Sequence, residues 1–156
     1  MAPTLIYSLF DSPLGQFQLV ADDLYLYELW LPQERSRQAV TRQDNAVLER
    51  TKQQLEQYFA GSLKQFDLPI APRGTGFQLQ VWAALCDIQY GQTSTYGQLA
   101  SQIGRPQAAR AVGGAVNRNP LAVIIPCHRL IGAGGALTGY RGGLAVKRWL
   151  LAHEQS

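Results

Sequence analysis

The stretch TYGQLASQIGRPQAARAVGGAVNRNP, residues 95–120, decides how the second half of this 156-residue chain is read. Its apolar spacing predicts a short helix over 95–103. Gly104, Arg105 and Pro106 make a turn, and a second helix is predicted over 107–118. A short helix, a glycine-containing turn and a helix of small residues form the pattern of a helix-turn-helix. The second helix holds Arg110 and Arg118 and no acid. Ala108, Ala109, Ala111, Gly113, Gly114 and Ala115 leave it little bulk. Either close approach to a phosphate backbone or tight helix packing accounts for that. Asn119-Pro120 stops the helix, because proline disfavours the helical conformation of the residue before it.

Downstream, LAVII at 121–125 is an apolar, β-branched-rich run that should be buried, and it delivers the chain to Pro126-Cys127-His128-Arg129. A glycine-rich loop follows at 132–143. A last helix is expected over 144–154, with Val146, Trp149 and Leu150 inward and Glu154 one turn after Leu150, on the core side. Upstream, Phe77, Val81, Leu85 and Ile88 recur at helical spacing behind a capping Thr75. Trp82 joins the same apolar side as a core aromatic, and Tyr90-Gly91-Gln92 is the expected stop. PIAPRGTG at 69–76 reads as a linker between a domain at 1–70 and one at 71–156. In the first, strands are expected at 5–10, 17–21 and 24–30. Their short turns, at 12–15 and Asp22-Asp23, favour antiparallel neighbours. A helix at about 44–60 presents Leu48, Leu55, Tyr58 and Phe59 on one face and stops at Gly61. The fold class is therefore α+β. A small N-terminal α/β lobe with an antiparallel three-stranded sheet precedes a helical C-terminal domain with a winged-helix-like helix-turn-helix.

Composition bounds the function. Apolar residues make up 46% and charged residues 16%, a globular balance. No run of about 18 apolar residues occurs, so no membrane is expected as a partner. The N-terminus lacks the basic and apolar regions of a secretory signal, and a cytoplasmic protein is expected. The charge is uneven. Residues 1–72 hold six Lys/Arg against nine Asp/Glu, and residues 73–156 hold eight against two. A basic C-terminal half suits a polyanion such as DNA, and equally a merely solvated surface. The only cysteines are Cys86 and Cys127, and the only histidines His128 and His153. No disulfide framework is expected, and no metal site, since a zinc site would need all four residues at unusual spacings. Cys86, on the first helix of the C-terminal half, is expected as a small core residue.

A cysteine beside a histidine is suggestive because the thiolate is the nucleophile. Nearby positive charge or an accepting imidazole lowers a pKa of about 8.5. His128 and Arg129 both qualify as neighbours. In an extended segment His128 would reach the sulfur only through a bend or a bridging water. Glu154 can orient the imidazole on its far side. The dipeptide alone equally describes a buried, inert cysteine next to a surface histidine.

The wider pattern resembles the O6-alkylguanine-DNA alkyltransferases. The matching segments are GTGFQLQVW at 74–82, the stretch at 95–120, IPCHR at 125–129 and GYRGGLAVKRWLLAHE at 139–154, about half of the chain. That resemblance implies an acceptor role for Cys127, which takes the alkyl group irreversibly as a thioether. It implies a base role through a water for His128, with Glu154 orienting it. Tyr96 would hydrogen-bond the guanine ring and press on the adjoining phosphate. Arg110 would fill the gap left by the extruded base, and Asn119 would link the recognition helix to the active site. Tyr140 and Arg141 would lie on the loop closing over the base. Arg118, Ala109 and Gly113 belong to the same DNA-facing helix. No cofactor is implied. The partner would be double-stranded DNA containing O6-alkylguanine, met by a monomer. Some relatives carry a structural zinc in the N-terminal lobe, but this chain has no cysteine or histidine there.

Two other classes compete. Alkyltransferase-like proteins share the helix-turn-helix and bind the lesion without repair, with another residue, commonly tryptophan, at the cysteine position. Cys127 with His128 and Glu154 argues against them. A Cys/His acyl hydrolase would need oxyanion donors and gives no reason for a basic helix.

Overall fold

The computed structural model describes residues 4–156 and divides into two compact units. One runs to Arg73 and also takes in Pro120–Ile124; the other comprises Gly74–Asn119 and Ile125–Ser156. The division is thus more than a cut in the linker, because five residues before the Cys-His segment cluster with the N-terminal unit.

In the N-terminal unit, strands β1 (Ile6–Ser12), β2 (Gly15–Ala21) and β3 (Leu26–Trp30) form an antiparallel meander. Ser12 faces Gly15 across the first turn, where Gly15 holds a φ of 107° that side chains rarely adopt. The Asp22 carboxylate accepts from the amides of Leu24 and Tyr25 and closes the second turn. The sheet has a fourth member that the three expected strands did not include. β4 (Thr41–Arg42) pairs parallel to β1, giving the order β3-β2-β1-β4. Helix α1 (Ala46–Phe59) starts at Asn45, whose side chain accepts from the Leu48 amide. It buries Val47, Leu48, Thr51, Leu55 and Tyr58, and the rings of Phe10, Phe17 and Phe59 cluster 6.0–6.4 Å apart. The run Pro120–Ile124 lies against β3, with the Leu29 amide donating to the Pro120 carbonyl. Val123 sits there at φ 70° in a tight turn closed by the Ile124 amide on the Ala122 carbonyl. A β-branched residue in that conformation is strained by about 1–3 kcal/mol.

In the C-terminal unit, α2 (Gly76–Cys86) opens with a capping box in which Thr75 and Gln78 satisfy each other's backbone amides. It buries Val81, Trp82, Ala84 and Leu85, and the Trp82 indole donates to the Ala115 carbonyl at 2.9 Å. The helix ends at Cys86, earlier than Tyr90. Cys86 is exposed rather than in the core. It directly follows the buried Leu85, and one helical step turns it outward. Helix α3 (Tyr96–Gln102), capped by Thr95 and Gln98, and helix α4 (Ala109–Val116) are two successive helices joined by a turn, each shorter than its sequence pattern. Strands β5 (Ser94–Thr95) and β6 (Leu130–Ile131) pair in parallel. That two-residue pair is this unit's sheet among the described residues. Helix α5 (Leu144–His153) closes the unit. Its inward positions are Lys147 and Leu150, while Val146 and Trp149 are half-buried and Trp149 stacks on His153. Among the described residues, no helix is long and apolar enough to cross a membrane.

Candidate active site

Backbone pairing brings the reactive residues together. The β5–β6 register places Thr95, the cap of α3, opposite Ile131, just past the Cys-His segment. Cys127, His128 and Arg129 form one 3-10 turn, so the chain is bent there rather than extended. All three side chains are buried.

The bend separates their environments. His128 is fully buried, and its Nε2 lies 2.8 Å from Glu154 Oε2. Arg129 grips the same carboxylate with Nε at 2.8 Å and Nη2 at 3.0 Å, and its Nη1 donates to the Ile88 carbonyl. A carboxylate facing a guanidinium only accepts, so His128 Nε2 carries the proton and Nδ1 keeps its lone pair. Nδ1 is buried and has no hydrogen-bond partner among the described residues. Burial holds the imidazole pKa below its ordinary value, outweighing the pull of Glu154. The ring is therefore neutral, with its free nitrogen turned away from its anchor. Removing one member of such a buried ion pair typically costs about 3–5 kcal/mol.

Arg129 is therefore not the cation that faces the thiol, contrary to the expectation drawn from its adjacency. The positive charges felt by Cys127 are those of Arg141 and Lys147. The Asn119 and Tyr140 side chains also favour the thiolate. Burial outweighs them, so the Cys127 pKa is raised and the resting group is the thiol. Asn119 is 2% exposed, and its Nδ2 donates to the Ile125 carbonyl at 2.8 Å. Arg141 donates to the carbonyls of Asn117 and Asn119, at 2.8 and 2.6 Å, and so ties the glycine-rich loop to the end of α4.

Two residues of this site were not singled out in the sequence. Lys147 is 1% exposed and donates to the Leu130 carbonyl at 2.6 Å and to the Thr138 carbonyl at 3.4 Å. Its signal was available: it shares one helical stripe with Leu150 and Glu154, at spacings of three and seven. Thr138 holds the Tyr96 hydroxyl at 2.9 Å and, as a loop residue, had no pattern to betray it.

On the outer side, α4 buries Val112 and Ala115 and exposes Arg110, Ala111 and Gly114; Arg118 is also exposed but lies just past the helix end rather than within the helix expected over 107–118. Ala109 and Gly113 are half-buried, and a side-chain carbon at Gly113 would touch the Tyr96 ring at 3.6 Å. The exposed face is thus small and basic. Among the described residues, no group of three or more His, Cys, Asp or Glu gathers as a metal site.

The two units correspond to two matching domain families. Residues 5–72 match the ribonuclease-like domain of 6-O-methylguanine DNA methyltransferase, and residues 76–156 match its DNA-binding domain. The chain belongs to the 6-O-methylguanine DNA methyltransferase family. A relative from Methanosarcina acetivorans, named methylated-DNA–protein-cysteine methyltransferase, is 46% identical over 155 residues, 97% of this chain and 99% of that one. A protein of the same name from Haemophilus influenzae is 41% identical, over 97% of this chain and 87% of that one. Among solved structures, Mycobacterium tuberculosis OGT in complex with DNA superposes with a TM-score of 0.91 at 48% identity, covering 96% of this chain and 92% of that one.

Proposed function

We propose that this protein repairs DNA by moving an alkyl group from O6 of guanine onto Cys127, once per molecule. The observation that carries the reading is the neutral His128, anchored by Glu154 through Nε2 with a bare Nδ1, one residue from a buried thiol. A thiol raised by burial needs a base at the moment of attack. Through one bridging water, Nδ1 takes the proton from Cys127. The Sγ–alkyl bond then forms as the alkyl–O6 bond breaks, and its electron pair passes into the guanine ring. The base takes up a proton and leaves as ordinary guanine, with no net proton consumed. Asn119, Tyr140, Arg141 and Lys147 favour the thiolate during the step. Tyr96 donates its hydroxyl to the purine ring as charge develops. A thioether is not readily cleaved, so the molecule is spent.

The target atom is out of reach inside a stacked duplex, so the nucleotide must leave the stack. Arg110, exposed on a helix face of small residues, is placed to enter the space the base vacates. Arg118 meets a phosphate, while Ala109 and Gly113 let the backbone of α4 approach. The main chain around Tyr140 and Arg141 covers the flipped base. The protein acts as a monomer on double-stranded DNA, in the cytoplasm, without a cofactor.

The test is the intact mass after incubation with a short duplex containing O6-methylguanine. Wild type should gain one methylene and Cys127→Ala none. Tight binding to the lesion with no mass gain in wild type would instead make it a damage-recognition protein.

A further inference from the structure

We infer that Thr138 is a positioning residue for the transfer, its hydroxyl holding and polarising the Tyr96 hydroxyl that supports the departing guanine. The inference rests on the role of Tyr96 proposed above. Tyr96 is the first residue of α3, fixed behind the Thr95–Gln98 capping box, and its ring lies against Gly113. Rotation of the ring is thereby restricted, and the place of its one polar atom depends on what that atom bonds. Its partner is Thr138 Oγ1 at 2.9 Å.

Thr138 is itself held from two sides. Its carbonyl accepts from the buried Lys147 ammonium, and its Cγ2 lies 2.8 Å from where a side-chain carbon at Gly132 would stand. A threonine side chain is also stiff about its first torsion. The hydroxyl thus sits on a fixed carbon skeleton in an otherwise glycine-rich loop, and only its proton is free to turn.

That freedom suits the reaction. A hydroxyl both donates and accepts. When Tyr96 donates to the purine ring, Thr138 can turn its proton onto Tyr96 Oη. Hydrogen bonds in series strengthen one another. As the alkyl–O6 bond breaks and its electron pair enters the guanine, Tyr96 shares its proton more fully with the base. The charge left on Oη is then met by the Thr138 proton. Thr138 acts only through Tyr96 and touches neither the alkyl group nor Cys127.

The test is a double-substitution cycle read as the single-turnover transfer rate at saturating duplex, so that binding drops out. T138V keeps the shape and removes the hydroxyl; it should slow transfer by about fivefold, the worth of one hydrogen bond. T138S should restore the rate toward wild type. In a Y96F background T138V should add no further loss. Melting temperatures of all the variants show whether they fold. The inference is overturned if Y96F is slow but T138V transfers as fast as wild type. A T138V loss of equal size with or without the Tyr96 hydroxyl overturns it as well. A Y96F protein as fast as wild type would overturn the role of Tyr96 itself, and this inference with it.

Discussion

At the residue scale the chemistry turns on which nitrogen of His128 holds the proton. Arg129 makes Glu154 an acceptor, Glu154 takes Nε2–H, and Nδ1 is left with its lone pair for the proposed proton transfer. Burial lowers the His128 pKa and raises that of Cys127, so both groups rest uncharged near neutrality. The transfer rate should therefore hold as the pH falls through about 6.5, where an ordinary histidine titrates, and decline only below it. It should also show no step near about 8.5, where an ordinary thiol ionises. Single-turnover rates across that range check this. A half-maximal rate at pH 6.5 would mean that the imidazole is not shielded. Stability follows the same sign. Below about pH 6.5 the unfolded chain binds a proton that the folded imidazole refuses, so stability falls toward acid. The sequence named the residues of this cluster but misjudged Arg129. Adjacency along a chain says little about direction once three residues coil into a 3-10 turn.

At the element scale, α4 separates two jobs on its two sides. Val112 and Ala115 pack inward, Arg110 stands on a face of small side chains, and Arg118 is exposed just past the helix end. Arg110→Ala should therefore slow repair of duplex DNA by about tenfold, losing the group that fills the unstacked step. Reaction with free O6-benzylguanine should stay near the wild-type rate, because no base has to be flipped. Equal losses on the two substrates would remove Arg110 from flipping. Both helices of the motif were legible because glycine and proline punctuate them and apolar spacing fills them. Their ends were less so. In α4 the regular hydrogen bonding begins at Ala109, beyond a turn that sequence composition does not distinguish from helix. Strand β4, two residues long, offers no alternation to detect. A lysine is ordinarily solvated, so its type hides the burial of Lys147 that its spacing on the stripe of Leu150 and Glu154 signals.

At the scale of the whole molecule, charge and access are both divided. The acidic first half and the basic second half predict that DNA binding weakens as salt rises, through release of counterions from the phosphates. Arg118→Ala should reduce the slope of log affinity against log salt by about one, measured by titrating a fluorescent duplex. An unchanged slope would take Arg118 off the phosphate backbone. The two thiols differ in a way that serves as an instrument. Cys86 is open to solvent and Cys127 is not, although both lie in the same unit. A bulky thiol reagent therefore meets Cys86 at the surface and Cys127 only when its surroundings part. Changes in the ratio of the two labelling rates report how readily the surroundings of Cys127 part, with each molecule supplying its own reference.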